Sequence, residues 1–591
     1  MAEQRPTTMF ALPILLAKAR FQTASAFIVY AILSVLFFGM PIISHLSQTY
    51  IGGGDDPILH IWAIAWWPYA VTHHINPLIA HTLWAPVGYN LVWGTDIPGP
   101  SLLIYPVTRL FGAVVSYNIL CLLGPPVAAV SAFVLCRYAC GRFWPALLGG
   151  YIFGFSPYIL SHMLAHLFLV FIFAIPLAVY ITLLRIDAKI GRIGFMCGLI
   201  AISLFQFFTS TEIFATATLF GAIALALDFI FAGRESRLNL ISVTKEIICV
   251  YLVVTLLLTP FLYYVFATAL PIPPNPPTNF SNDLLTFVLP PPVVLIGPHL
   301  ATSKLGHFFA TKPWWEQTAY LGPGLWILMW LFTRAYWRTQ VGKFMVLNFA
   351  LIAIMSLGPV LHVAGVPLVA LPWRLLTALP LMDDALPGRF GMYLFLVVAV
   401  AAAICMTRRS RSIWSNSALA GLSLLFIVPD LTIWHQLGWV PEFGTPGQTR
   451  ISVPRFFSSG QYRTYLAHGD NVLILPLGSG YNDGLLWQVQ SDFYFNTIEW
   501  FGAIPPPDAD RWRIMAAFRR GTKIPDFSEQ LDAFLGAHQV RAIIVDPRQP
   551  GSWPRMLSEA GMNGVAVGGV LFYEVPAHRL VALRVAQQHA R

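Results

Sequence analysis

Residues Phe27–Trp67 read FIVYAILSVLFFGMPIISHLSQTYIGGGDDPILHIWAIAWW. The first part, Phe27–Ile43, is an apolar run long enough to cross a bilayer, because roughly 20 helical residues span about 30 Å. No small-residue cleavage site follows it, so it is expected to stay as a first span and not to leave as a signal peptide. Gly52, Gly53 and Gly54 then let the backbone turn away from the span in conformations other residues resist. Asp55 and Asp56 come next, followed by Pro57 and a helical stretch with Trp62, Trp66 and Tyr69 on neighbouring faces. Indoles just beyond a span suit an interfacial helix lying along the membrane.

The rest of the chain repeats the first run. Of its 591 residues 57% are hydrophobic and only 11% charged, whereas a soluble chain would carry about a quarter charged residues. Apolar runs near 24–44, 114–136, 143–160, 167–185, 193–208, 213–232, 246–268, 321–337, 343–357, 391–407 and 413–429 predict about eleven spans. The formal net charge of +9 raises the question of nucleic acid. The positions of the charges answer it. Lys and Arg gather in alternate connectors: Arg137 and Arg142; Arg185, Lys189 and Arg192; Arg234, Arg237 and Lys245; Arg334, Arg338 and Lys343; Arg408, Arg409 and Arg411. The intervening connectors carry only Arg109, Lys304, Lys312, Arg374 and Arg389. That alternation, with Arg5, Lys18 and Arg20 before the first span, predicts a cytoplasmic N-terminus and no nucleic-acid partner. An odd number of spans then places the C-terminal part on the other side. The expected setting is a bacterial inner membrane with a periplasmic C-terminal domain.

This reading divides the chain into a transmembrane domain, 1–430, and an extracytoplasmic α/β domain, 431–591. Three long outer loops, 45–113, 269–320 and 358–390, interrupt the first. The second loop is proline-dense (PIPPNPPTNF, VLPPPVVLIGP) and is expected to be irregular. In the C-terminal part, Asn471–Leu477 and Val540–Val545 read as buried strands, Phe527–His538 and Trp553–Gly561 as helices, and Gly564–Glu574 as a hairpin. No Gly-rich phosphate loop occurs there. The six cysteines all lie in or beside apolar runs without zinc spacing, and read as small hydrophobes.

Ionisable residues are almost absent from the middles of the expected spans, Asp228 being the nearest to an exception, and gather at the outer face. The short loops supply His162, His166 and Glu212; the long loops supply Asp96, Asp283, Glu316, Arg374, Asp383, Asp384 and Arg389. Transporters place such groups near the midplane, so this distribution favours an enzyme at the outer leaflet. Asp56 before Pro57 also has the form of an N-cap followed by proline at the first helical position. Capping leaves the adjacent Asp55 unexplained, since two neighbouring carboxylates repel at a membrane surface unless something uses them.

At Gly54–Trp67 the sequence resembles the first outer loop of GT-C-type membrane glycosyltransferases, whose hallmark is an acidic residue or pair just after the first span. The Asp-Pro start is also similar to the acidic motif of oligosaccharyltransferase catalytic subunits. The stretches DPILHIWAIAWWPYAV, NPLIAHTLWAPVGYN, GFSPYILSHMLAH, LPWRLLTALPLMDDALPGRF and NVLILPLG resemble YfhO-like proteins and bacterial polyprenyl-phosphate-sugar glycosyltransferases. The oligosaccharyltransferase WWD signature is absent, because Trp314 and Trp315 are followed by Glu316.

The resemblance implies a GT-C-like fold and transfer of a hexose or pentose, with inversion, from a polyprenyl-phosphate donor to an envelope glycan, lipid or protein. It implies Asp56 as the catalytic carboxylate with Asp55 beside it. Arg389 would face the lipid phosphate, and His162 and His166 would line the mouth of the site; from the outer-face pattern, Arg374 is the second choice for the phosphate and Glu212 a further substrate-binding candidate. Polyprenyl-phosphate enzymes of the superfamily generally need no metal and oligosaccharyltransferases do, so a divalent metal stays open and no ligand set is assigned. Two other classes stay open: a flippase for lipid-linked glycans, and a membrane scaffold binding envelope partners.

Overall fold

The computed structural model describes residues 11–267, 275–297, 314–379, 382–407, 412–435, 447–478, 483–502, 504–576 and 579. Arg5, Lys304, Lys312, Arg408, Arg409, Arg411 and the start of the proline-dense stretch lie outside these residues.

Apolar runs became helices. Among the described residues, seven are long and apolar enough to cross a membrane: Ala19–Gly39, Ala113–Cys140, Phe143–His162, Leu167–Ile186, Thr211–Phe231, Arg234–Leu257 and Pro387–Cys405. The other four expected spans are also helical, as Arg192–Phe207, Gly322–Tyr336, Gln340–Ser356 and Ile413–Leu425, each of 13 to 17 residues. The protein is a polytopic α-helical membrane protein with a C-terminal α/β fold. In the described part of the proline-dense loop, Leu284–Phe287 forms a single 3-10 turn.

Two compact units share the chain. The first comprises 1–45, 118–258 and 273–448; the second comprises 46–117, 259–272 and 449–591. In the first, most residues of Pro387–Cys405 are buried and few of those of Thr211–Phe231 are, so the former is central and the latter offers its apolar surface outward. Small residues set the close approaches. A Cβ on Gly154 would lie 2.4 Å from the Ala129 Cβ, and one on Gly149 would lie 3.0 Å from the Ala399 carbonyl oxygen. Membrane helices, lacking a hydrophobic drive between them, gain contact through such small positions.

The second unit is built on a five-stranded sheet. Asn471–Leu475 lies between Asn496–Thr497 and Val540–Val545, parallel to both; the antiparallel hairpin Gly564–Val567 and Val570–Glu574 continues beyond Val540–Val545. Asn471–Leu475 is buried throughout, as expected of a parallel strand covered on both faces.

The helix Asp56–Thr72 belongs to this same unit, with most of its residues buried. Trp62 and Trp66 are 0% and 1% exposed. Their rings stack at 5.2 Å, Phe493 meets both, and the Trp62 indole N–H donates to Gln488 Oε1 at 2.7 Å. This corrects the interfacial-helix expectation. The indoles are in a protein core and not in a headgroup layer, because residues more than 400 positions later cover them. The capping expectation shifts by one residue. Asp56 is the first helical residue, Asp55 holds the cap position without a capping side-chain hydrogen bond, and both are half-buried. Gly52 and Gly54 have positive φ, as the turn out of the first span requires.

Candidate functional site

In the first unit, four segments bring ionisable residues together. The helix Pro157–His162 begins where Ser156 Oγ accepts the Ile159 N–H, and all six of its residues are buried. The chain continues helically far enough for the His166 N–H to donate to the His162 carbonyl at 2.8 Å, which puts both imidazoles on one face. Their Nδ1 atoms are 3.4 Å apart. The helix Thr211–Phe231 begins with Ser210 as cap and carries Glu212 in its first turn, where the helix dipole favours a carboxylate.

Arg389 lies in the 3-10 turn Pro387–Phe390, ahead of the helix Gly391–Cys405. The glycines around it are there for space. A Cβ on Gly388 would sit 2.4 Å from the Glu316 carbonyl oxygen, and one on Gly391 would sit 2.6 Å from Thr318 Oγ1. The Gly388 carbonyl accepts from Thr318 Oγ1 at 2.7 Å and the Gly388 N–H donates to the Phe280 carbonyl at 2.8 Å. The turn is therefore held directly against the segment containing Glu316.

The result is a buried ion network. Arg389 Nη2 donates to Glu316 Oε1 at 2.8 Å, its Nε shares both Glu316 oxygens at 3.2 Å, and its Nη1 donates to Glu212 Oε2. Glu212 Oε1 accepts the Leu386 N–H at 3.0 Å. The side chains of Arg389, Glu212 and Glu316 are 10%, 18% and 1% exposed, so Glu212 is the partner nearest solvent. Two carboxylates against one guanidinium leave a formal charge of −1. Burial alone would push the Glu316 carboxyl up; the Arg389 guanidinium outweighs it and holds the carboxyl down at about 2. His162 Nε2 lies 4.0 Å from Glu316 Oε2.

The structure thus joins Arg389, Glu212, His162 and His166 and adds Glu316, which the sequence pattern placed only among the outer-face polar residues. Its signal was a lone acid after two tryptophans, with no indication of its partner 73 positions later. Arg374 is exposed, outside the network. Asp283 organises the local backbone. It accepts from the N–H groups of Leu285, Ala364 and Gly365, the last two in the turn of the hairpin Val360–Val363 and Val366–Ala370.

Asp55, Asp56 and Asp96 belong to the second unit. Asp96 is 5% exposed and accepts from the Trp67 indole at 3.1 Å. Burial pushes its carboxyl up to about 7 against that hydrogen bond.

No protein-family model matches the chain, and no curated protein does. Among solved structures, the arabinofuranosyltransferase AftD from Mycobacteria is similar over 94% of this chain, with a TM-score of 0.56 at 13% identity. This chain spans 41% of the length of that protein. ArnT from Cupriavidus metallidurans matches 94% of this chain and 99% of its own at 12% identity, with a TM-score of 0.48. The oligosaccharyltransferase AglB from Archaeoglobus fulgidus matches 94% of this chain and 75% of its own, also at 12% identity, with a TM-score of 0.41. By fold, the chain is similar to the membrane-embedded arabinofuranosyltransferase AftD.

Proposed function

We propose that this protein transfers a sugar from a polyprenyl-phosphate donor to an envelope acceptor at the outer face of the cytoplasmic membrane. The observation that carries the reading is the buried Arg389–Glu316–Glu212 network, held among apolar helices in a fold shared with an arabinofuranosyltransferase. An ion network of this kind is costly to bury and is a functional-site hypothesis by default inside a membrane protein.

In this reading the acceptor hydroxyl attacks the anomeric carbon. A new carbon–oxygen bond forms as the bond to the lipid phosphate breaks, and the configuration inverts. Asp56 takes the hydroxyl proton, a contribution of about 10² to 10⁴ in rate, and Asp55 tunes its neighbour. The leaving polyprenyl phosphate needs a fixed positive charge, which Arg389 supplies. Both forks of Arg389 are engaged by carboxylates, so the phosphate meets it by replacing Glu212, the more exposed of the two. His162 and His166 line the same site, with Arg374 outside it. The N-terminus is cytoplasmic, the C-terminal domain periplasmic, and membrane lipids surround the apolar helices.

The test is incubation of the purified protein with radiolabelled polyprenyl-phosphate sugars and an envelope fraction, alongside lipid scrambling in vesicles. Label moving to an acceptor supports the transferase. Scrambling without transfer would instead establish a flippase.

A further inference from the structure

We infer that His162, His166 and Glu316 form a binding site for a divalent transition-metal ion of the zinc class. The three residues each offer one ligand atom, all within 4.8 Å of one another. The inference does not rest on the proposed sugar transfer.

The spacing of the histidines comes first. They stand four residues apart on a helical turn, the arrangement by which two imidazoles on one helix face share a metal. Their Nδ1 atoms are 3.4 Å apart. That is long for a hydrogen bond between rings. With His162 Nδ1 turned toward His166, Nε2 is the nitrogen that His162 offers to an ion.

The second observation is a buried polar atom without a partner. His162 is 0% exposed, and its Nε2 makes no hydrogen bond; the nearest acceptor, Glu316 Oε2, is 4.0 Å away. Tyr158 Oη and Ser161 Oγ, from the same short helix, are likewise buried without a hydrogen-bond partner. Leaving such groups unpaired costs roughly 1–3 kcal/mol each, so native structures rarely do so without water or a ligand.

The donor set identifies the ion. Two neutral imidazoles and one carboxylate suit zinc in the three-ligand form that keeps a fourth position open, and fit calcium or magnesium poorly. Glu316 need not leave Arg389 to serve. Arg389 Nη2 holds Oε1 at 2.8 Å and its Nε shares both oxygens at 3.2 Å, while Oε2 lies 4.0 Å from His162 Nε2 with a second lone pair for an ion, the outer arrangement in which a hydrogen-bonded group orients a ligating carboxylate. With Glu212 on the other side of Arg389, the network carries a formal charge of −1, which a divalent ion complements.

The experiment uses the full chain, purified without a histidine tag, stripped with chelator and re-equilibrated with zinc sulfate. Metal retained after gel filtration is measured by mass spectrometry. One zinc per chain is expected in the wild type, with affinity falling at least about tenfold in His162→Ala, His166→Ala and Glu316→Gln. His166 is half-buried, so His166→Ala guards against loss through misfolding, and the elution profile reports it. Cobalt(II) in place of zinc should give the visible absorption of a four-coordinate ion, lost in His166→Ala. A wild type without zinc would overturn the site. So would His166→Ala retaining the wild-type amount, or loss only on substituting the exposed His73 and His74.

Discussion

Asp56 sits in the first turn of its helix, where a carboxylate gains about 0.3–1 kcal/mol from the dipole. Asp56→Asn should therefore fold and express nearly as the wild type. A neutral amide cannot take the acceptor's proton, so transfer should fall by about 10² to 10⁴. Full turnover in Asp56→Asn would move the base elsewhere, with Glu212 and Asp96 the next to test. Asp96 has a pH signature of its own. A carboxyl raised to about 7 when folded binds more protons than in the unfolded chain. Its contribution to stability is thus greatest at low pH and is lost as pH rises from about 4 to about 7. Asp96→Asn should flatten that part of the profile, by on the order of 1–4 kcal/mol across the window. Thermal unfolding of both forms between pH 4 and 8 measures it; parallel profiles would contradict the assignment. At the ion network, the proposed exchange of Glu212 for phosphate makes an asymmetric prediction. Glu212→Gln should bind donor more tightly, because a competitor for Arg389 is gone. Arg389→Lys should bind it more weakly, and Arg389→Ala more weakly still, because the planar fork is lost before the charge. Equal donor affinity in all four forms would exclude Arg389 from the phosphate site.

At the scale of elements, the turn at Pro387–Phe390 depends on Gly388. A methyl group there meets the backbone oxygen of Glu316, which has no soft side chain to yield. Gly388→Ala should cost about 1–3 kcal/mol and loosen the Arg389–Glu316 pair, although neither charged residue is altered. Denaturation of the variant in detergent reads the first effect, and the salt dependence of its stability reads the second. Elements were legible where a local pattern dictates them. Each of the eleven apolar runs is helical over most of its described residues, and Asn471–Leu475, Val540–Val545 and the closing hairpin fall where their periodicity places them. What escaped the sequence is long-range. Nothing in DPILHIWAIAWW reveals that Gln488 and Phe493 bury its indoles, since an aromatic stripe reads the same against lipid or protein. Arg389 and Glu212 could be nominated from position alone. Pairing them with Glu316 required the close approach that Gly388 and Gly391 permit, and a glycine next to an arginine does not announce its neighbour.

The whole molecule combines a membrane-embedded helical unit with a second unit in which the first long loop and the C-terminal segment fold together. The alternation of basic connectors predicts that a reporter active only in the periplasm, fused after Arg591, will work. Activity from a cytoplasm-only reporter would refute the odd span count. The same scale carries the central claim, the proposal that this fold with its ion network acts on a lipid-linked sugar. The direct measurement is release of polyprenyl phosphate from a radiolabelled polyprenyl-phosphate sugar by the purified full chain with acceptor present. The account predicts one polyprenyl phosphate per sugar transferred, at a rate that collapses in Asp56→Asn and Arg389→Ala. Donor left intact across a panel of sugars, by protein that is folded and binds it, would contradict the account.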